Sequence, residues 1–173
     1  MVSSCNINSF LRIYFKPVIL YSLLILSVIL NKYYNLSFLT PLVLLSPLIF
    51  VDLKSLNLTS KWSFSLILII PALFFQDLHS TLNHLSIALS EEIFFRVYLM
   101  SFFSNFITSI LFTIPHILLY GDLHSFLVFF PSLIYGLVYQ KSKSFILVAV
   151  LHFLSNIIYS IFISNSDIIN RGL

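Results

Sequence analysis

Long apolar runs, separated by short polar segments, fill this chain from about residue 13 onward. They do not alternate polar with apolar residues, which favours membrane-spanning helices over the strands of a barrel. Charged residues make up 9% of the 173 residues, against about 25% in a soluble domain. Backbone groups inside a bilayer must be satisfied within the protein, and helices do this. The sequence therefore predicts an all-α integral membrane protein.

About seven spans are predicted, forming one polytopic transmembrane helical bundle over residues 1–173, a single domain. Some runs are shorter than the ~20 residues of a straight crossing, so we expect one or two to be partial or merged. Prolines inside the runs are expected to kink the helices. The predicted spans are 13–30, 36–51, 62–76, 85–103, 105–120, 123–139 and 143–163, with prolines at Pro41, Pro47, Pro71, Pro115 and Pro131.

The first run follows Arg12 and Lys16, as in a signal peptide, but no small-residue cleavage site comes after it. We therefore expect a retained transmembrane helix. Basic residues in short loops favour the cytoplasmic side, which predicts a cytoplasmic N-terminus and an outer C-terminus. The basic residues placed inside are Arg12, Lys16, Lys54, Lys61, Lys141 and Lys143; those outside are Lys32 and Arg171, with Asp77, Asp122 and Asp167.

The net charge of +3 does not indicate a nucleic-acid partner, because the basic residues lie between apolar runs and act as topology signals. The expected partner is the lipid bilayer. The single cysteine, Cys5, excludes a disulfide framework and a cysteine-based zinc site.

Three charged residues interrupt the run 85–103. Each costs roughly 2.5–3.5 kcal/mol near the middle of a membrane helix, more than the apolar residues there offset at about 0.3–0.6 kcal/mol each. This helix is therefore expected among protein neighbours or beside a wet cavity. Glu92 and Arg96 are four apart and can pair, whereas Glu91 has no charged partner at i+3 or i+4. A buried ion pair that only fixes packing explains Glu92 and Arg96, but not Glu91.

Two of the five histidines lie inside apolar runs. His116 shares a helix face with Phe112, and His152 shares one with Asn156. At ~1.5 Å per residue, Glu91, these two histidines and Asn156 are all expected in the outer half of the membrane or near its midplane. They can then share one catalytic cavity within the membrane, open to the non-cytoplasmic side. The remaining histidines are expected at the surface or interface: His79 and His84 in or beside the loop before the fourth span, and His124 near the start of the sixth.

A carboxylate and a histidine can orient and deprotonate one water, while a second histidine and an asparagine can donate hydrogen bonds to the resulting oxyanion. Other hydrolytic patterns are missing from the sequence. It has no H-E-x-x-H helix of a zinc protease and no G-x-S-x-G context for a nucleophilic serine. Its aspartates fall at span ends or in loops.

Three short motifs follow one another on successive or nearby runs: Glu91-Glu92-x-x-x-Arg96, Phe112-x-x-x-His116 and His152-x-x-x-Asn156. In this order they resemble the motifs of the CPBP family, the CAAX-protease and bacteriocin-processing (Abi) intramembrane endopeptidases. The resemblance covers about residues 85–160, the predicted catalytic core.

This resemblance implies a glutamate-dependent intramembrane endopeptidase. It implies that Glu91 activates water with His116, while His152 and Asn156 hold the oxyanion. Glu92, Arg96 and Phe112 would support the site structurally. Members are often labelled metalloendopeptidases, and Glu91, His116 and His152 would be the ligands of a zinc ion, since three such ligands plus water form a catalytic zinc pattern. We expect a metal-free site with no cofactor.

Eukaryotic relatives cut the C-terminal tripeptide from prenylated CAAX proteins, but this chain is shorter and its predicted topology turns the site away from the cytoplasm. The resemblance then implies a processing role in a bacterial inner or plasma membrane. The expected substrate is a membrane-associated protein or peptide: a leader, a C-terminal sorting signal or a bacteriocin-type precursor. Two other functions remain open. One is a non-catalytic immunity or regulatory membrane protein on the same scaffold. The other is a proton-coupled transporter in which Glu91 and the histidines relay protons, although the internal repeats expected of one are not seen.

Overall fold

A computed structural model describes residues 7–58 and 61–171, and these residues are 84% helical with no strand among them. The all-α prediction is confirmed. Side chains are not described for 7–12, 53, 55, 72–73 and 163–171. Cys5 therefore lies outside the described residues, as do the side chains of Arg12, Asp167 and Arg171.

Seven α-helices, joined by shorter helical segments, follow one another within the described ranges. The α-helices are α1 (Ile7–Tyr34), α2 (Leu39–Leu45), α3 (Leu78–Glu92), α4 (Asn105–Leu119), α5 (Leu123–Leu127), α6 (Phe129–Ser142) and α7 (Phe145–Arg171). The 3-10 helices are Ser46–Ile49, Leu53–Leu56, Ser63–Phe74 and Leu99–Ser101, and a π-helical segment covers Ile93–Tyr98.

Three stretches are long and apolar enough to cross a membrane: Ile13–Tyr34, Leu123–Ser142 and Phe145–Phe162. This agrees with an integral membrane protein, but it does not confirm seven spans. The apolar helix α4 has 15 residues, which cover about 22 Å at 1.5 Å per residue, short of the ~30 Å hydrocarbon core. The sixth predicted span is divided at Val128, between α5 and α6.

The fourth predicted span, placed at residue 85, actually begins with α3 at Leu78. Asp77 caps this helix, since its carboxylate accepts a 3.0 Å hydrogen bond from the backbone N–H of Ser80. That bond is the main reason why the pKa of Asp77 is lowered, which keeps a negative charge at the positive end of the helix. His79 and His84 therefore lie on α3 rather than in a loop, because the Asp77 cap allows the helix to begin among these polar residues.

The continuation of α3 forms the centre of the molecule. All six residues of the π-helical segment Ile93–Tyr98 are buried. Phe94 and Phe95 face a cluster formed with α1, α2 and α4, whereas Ile93 and Val97 face a second cluster with α7. The charged helix is thus surrounded by protein, as the cost of its charges predicts.

A close approach of α4 and α6 depends on Gly136. A Cβ atom there would lie 1.6 Å from the side-chain oxygen of Asn105. The Asn105 amide instead donates to the carbonyl of Leu133 over 2.9 Å. Ser132, four residues before Gly136, is fully buried. Small residues four apart let helices meet closely in membranes, and here they hold α6 beside the site.

Candidate active site

A salt bridge joins two charged side chains at the end of α3. Arg96 Nε lies 3.1 Å from Glu92 Oε2, and both side chains are fully buried. On its other side Arg96 donates through Nη2 to Ser132 Oγ over 3.0 Å. Its guanidinium carbon also lies 5.4 Å from the ring centre of Phe112. Arg96 is therefore held by three elements: its own helix, α6 and α4.

The second oxygen of Glu92 contacts a histidine that lies 60 residues further along the chain. Glu92 Oε1 is 2.8 Å from His152 Nδ1. Glu92 thus links Arg96 to His152, with one oxygen toward each. Glu92, which the sequence predicts to pair with Arg96, therefore also holds α7 against α3.

Contacts on several sides fix the ring of His152, which is buried. Tyr135 stacks on it with ring centres 5.3 Å apart, and Phe112 approaches edge-on at 5.9 Å. Its remaining nitrogen, Nε2, lies 3.5 Å from Glu91 Oε2. The ring therefore faces one glutamate with each nitrogen.

Glu91 differs from its neighbour Glu92. Its side chain keeps 15% of its surface exposed. Within the described ranges its Oε2 atom is buried and has no hydrogen-bond partner, and His152 Nε2 lies 3.5 Å away without forming a bond to it. A carboxylate that is partly accessible and incompletely bonded has spare capacity to accept a proton from water.

His116 joins the cluster through Phe112. The two rings stack with centres 4.6 Å apart, and His116 Nδ1 bonds the carbonyl oxygen of Phe112 over 2.9 Å. Because a carbonyl only accepts, Nδ1 is the donor and Nε2 is left free. Among the described residues, no hydrogen bond or ion pair connects His116 to Glu91. The histidine in direct contact with Glu91 is His152 instead.

Helix α4 is stabilised from α1 where Pro115 interrupts its hydrogen bonding. Proline has no N–H, so the carbonyl of Leu111 loses its partner in α4. The hydroxyl of Tyr21 replaces it, donating to the Leu111 carbonyl over 2.9 Å. Lys32 donates to the carbonyl of Leu118 over 2.6 Å near the end of the same helix. Helix α1 thereby fixes the part of α4 that carries His116.

Asn156 lies one turn after His152 on α7, at a partly exposed position. No hydrogen bond to Asn156 occurs within the described part of the chain, so its amide group is available to a ligand. Its expected contact with an oxyanion stays a prediction.

The described residues do not form a metal site. None of their His, Cys, Asp and Glu side chains are grouped in threes so as to hold an ion. Among these residues His116 makes no hydrogen bond or ion pair with Glu91, whereas His152 Nε2 lies 3.5 Å from it. As the described residues stand, Glu91, His116 and His152 are therefore not grouped as a three-ligand zinc site, and the absence of a cofactor stays a prediction.

Two contributors to the site were missed in the sequence. Ser132 bonds Arg96, and Tyr135 stacks on His152 while its hydroxyl bonds Ser155. The spacing of Ser132 and Gly136 marks a face of α6 that packs closely on a neighbour. Nothing in the sequence around Tyr135 distinguishes it from the other aromatic residues of that run.

The fold and the site together define a helical membrane protein with a buried Glu-His-Arg cluster where α3, α4, α6 and α7 meet. Residues 78–158 match the model of the Rce1-like family, described as type II CAAX prenyl endopeptidase Rce1-like. This match is consistent with the CPBP family, and the predicted relationship is confirmed. It supports a CAAX-type intramembrane protease activity. No curated protein and no solved structure matches the chain.

Proposed function

We propose that this protein is an intramembrane endopeptidase that hydrolyses a peptide bond of a membrane-associated protein or peptide, using water activated by Glu91. The observation that carries the proposal is the contrast between the two adjacent glutamates. Glu92 is fully buried and engaged by Arg96 and His152. Glu91 is partly accessible and lies 3.5 Å from His152, and within the described ranges no hydrogen bond to its carboxylate occurs, whereas Glu92 accepts one from His152.

The reaction begins with water beside the carboxylate of Glu91. Glu91 takes one proton from the water as the oxygen attacks the carbonyl carbon of the scissile bond. The negative charge moves to the carbonyl oxygen, where the side-chain amide of Asn156 would donate a hydrogen bond to it, joined by His152 once its Nε2 carries a proton. The proton on Glu91 then passes to the leaving amine as the C–N bond breaks. No metal takes part in these steps.

The family description makes a prenylated CAAX peptide the first probe to use, although a leader, a sorting signal or a bacteriocin-type precursor remains our proposed natural substrate. We propose a bacterial membrane as its location, as the family resemblance implies. The site would face the non-cytoplasmic side, with the N-terminus in the cytoplasm. This orientation rests on the distribution of lysine and arginine in the loops.

The test is cleavage of a fluorogenic farnesylated peptide ending in a CAAX sequence, with the purified protein in proteoliposomes. Glu91→Gln keeps the shape of the side chain but removes the base, so we expect kcat to fall on the order of 10²–10⁴-fold. Asp77→Asn is the matched control, because it removes a carboxylate from the same helix while asparagine still caps it.

Wild-type cleavage that is retained in Asp77→Asn and lost in a folded Glu91→Gln supports the proposal. Equal cleavage by wild type and Glu91→Gln would remove Glu91 from the mechanism. If neither this probe nor a bacteriocin-type precursor with its leader is cut, the non-catalytic alternative gains. Uptake driven by a proton gradient would favour the transporter.

A further inference from the structure

The contact between Glu92 and His152 has a role beyond that of a brace between helices. Arg96 lies against Glu92 Oε2 at 3.1 Å and is a permanent cation. Glu92 therefore faces a fixed positive charge and acts as a hydrogen-bond acceptor. Its other oxygen, 2.8 Å from His152 Nδ1, can only accept as well. The proton of that bond must consequently reside on Nδ1.

A proton held on Nδ1 decides what the opposite side of the ring offers. Nε2, which points toward Glu91 at 3.5 Å, then has a lone pair in the neutral ring. The stack on Tyr135 and the edge contact with Phe112 prevent the ring from turning to exchange its nitrogens. The ring is fixed in both orientation and tautomer.

We infer that Glu92 is a positioning residue that holds His152 by Nδ1–H and thereby aims the Nε2 lone pair at Glu91. This inference rests on the proposed function, in which Glu91 is the base. When Glu91 has taken a proton from water, its O–H can donate to Nε2, which stabilises the protonated carboxyl group. His152 Nε2 therefore first accepts a hydrogen bond from protonated Glu91. It can donate one to an oxyanion only once Nε2 itself carries a proton.

The direct test is spectroscopic and needs no substrate. The wild-type protein is labelled with ¹⁵N in its histidine rings and placed in lipid nanodiscs for NMR spectroscopy. The His152 signals are assigned by their loss in the His152→Gln variant. We expect a protonated Nδ1 and an unprotonated Nε2. A proton on Nε2, with or without one on Nδ1, would overturn the inference.

His116 provides an internal reference in the same spectrum. Its Nδ1 is also a donor, but to the backbone carbonyl of Phe112. Glu92→Gln should shift the His152 signals and release its tautomer preference, whereas the His116 signals should stay in place. Unchanged His152 signals in this variant would contradict the positioning role.

Kinetics with the farnesylated peptide separate positioning from simple support. We expect Glu92→Gln to lower kcat on the order of 100-fold with little change in KM, because bound substrate meets a misaligned base. Glu92→Asp, which restores the carboxylate, should recover part of the loss. A residue that only braces the helices would lower the yield of folded protein and leave kcat per folded molecule unchanged.

Glu92→Gln leaves Arg96 without its partner and can fail to fold. The double variant Glu92→Gln/Arg96→Met removes both charges together, and it should show the same released tautomer of His152. A fixed Nδ1–H in that double variant would overturn the inference. If the wild type cuts no peptide while the His152 tautomer is fixed as expected, the proposed function fails and the positioning contact stands.

Discussion

The interface of α3 with α7 and that of α4 with α6 both bury polar side chains, but they satisfy them differently. Between α3 and α7, Glu92 and His152 meet as charged or chargeable groups, with Arg96 completing the chain of contacts. Between α4 and α6, an amide group of Asn105 bonds a backbone carbonyl beside Gly136. The first interface uses long side chains in fixed orientations, and the second uses small ones at short range.

The difference indicates which interface carries chemistry. Neutral amide and hydroxyl groups bring helices together but neither take up nor release a proton near neutral pH. Between α3 and α7, by contrast, the ionisable side chain of Glu91 keeps 15% of its surface exposed. The second interface positions α6, and α6 in turn supplies Ser132 and Tyr135 to the first.

The largest effect on stability is expected from Arg96→Met. It leaves the buried carboxylate of Glu92 without its cation, which should lower the free energy of unfolding by about 3–5 kcal/mol. Unfolding in mixed micelles measures this loss. The double variant Glu92→Gln/Arg96→Met should be more stable than the single one, because no unpaired charge remains. Equal stability of the two would show that the salt bridge is not the relevant contact.

Gly136→Ala tests the other interface. The added methyl group would collide with the Asn105 side chain, and overpacking of this kind costs about 1–3 kcal/mol. In an Asn105→Ala background the collision disappears, so the same substitution should cost little. Thermal unfolding of the wild type, the two single variants and the double variant gives the coupling free energy between positions 105 and 136. An identical cost in both backgrounds would argue against close contact of α4 with α6.

Tyr21→Phe removes the donor to the carbonyl of Leu111, which Pro115 leaves without a backbone partner. Interhelical hydrogen bonds in membranes contribute roughly 0.6 kcal/mol on average and up to about 1.7 kcal/mol, so we expect the free energy of unfolding to fall by about 1 kcal/mol. The control is Tyr33→Phe, since Tyr33 is 72% exposed. The two variants would unfold alike if the Leu111 carbonyl needed no donor from α1.

Ser132→Ala should have the smallest effect. Arg96 loses one hydrogen bond but keeps Glu92, so a decrease of about 0.6 kcal/mol is expected. Peptide cleavage should stay within a few-fold of wild type. A loss as large as that of Glu91→Gln would mean that the link from α6 to Arg96 takes part in the reaction.

The sequence predicts most of the helices and the surroundings of the charged one. The cost of placing Glu91, Glu92 and Arg96 among apolar residues predicts that protein surrounds them, and the burial of Ile93–Tyr98 agrees. The start of α3 was missed because its first turns are polar and are stabilised by the Asp77 cap rather than by apolar burial.

The site is harder to predict than the helices. Spacing four apart places Glu92 near Arg96, but which glutamate meets which histidine depends on the rotation of α7 against α3. That rotation is set by packing among Ala88, Phe153 and Ile157, which no local pattern reveals. The predicted partnership of Glu91 with His116 and the observed contact of Glu91 with His152 differ for this reason.

The central claim, that Glu91 directs water at the scissile carbonyl, is tested most directly by single-turnover cleavage of the farnesylated peptide in H₂¹⁸O by the wild type and by Glu91→Gln. Mass spectrometry counts the ¹⁸O atoms in the new carboxylate and gives the rate at which they appear. The account predicts one ¹⁸O atom in the wild-type product, appearing on the order of 10²–10⁴-fold more slowly with folded Glu91→Gln. A wild-type product carrying only ¹⁶O would show that a carboxylate of the protein attacks the bond, and an unchanged rate in Glu91→Gln would show that Glu91 does not activate the water; either result would contradict the account.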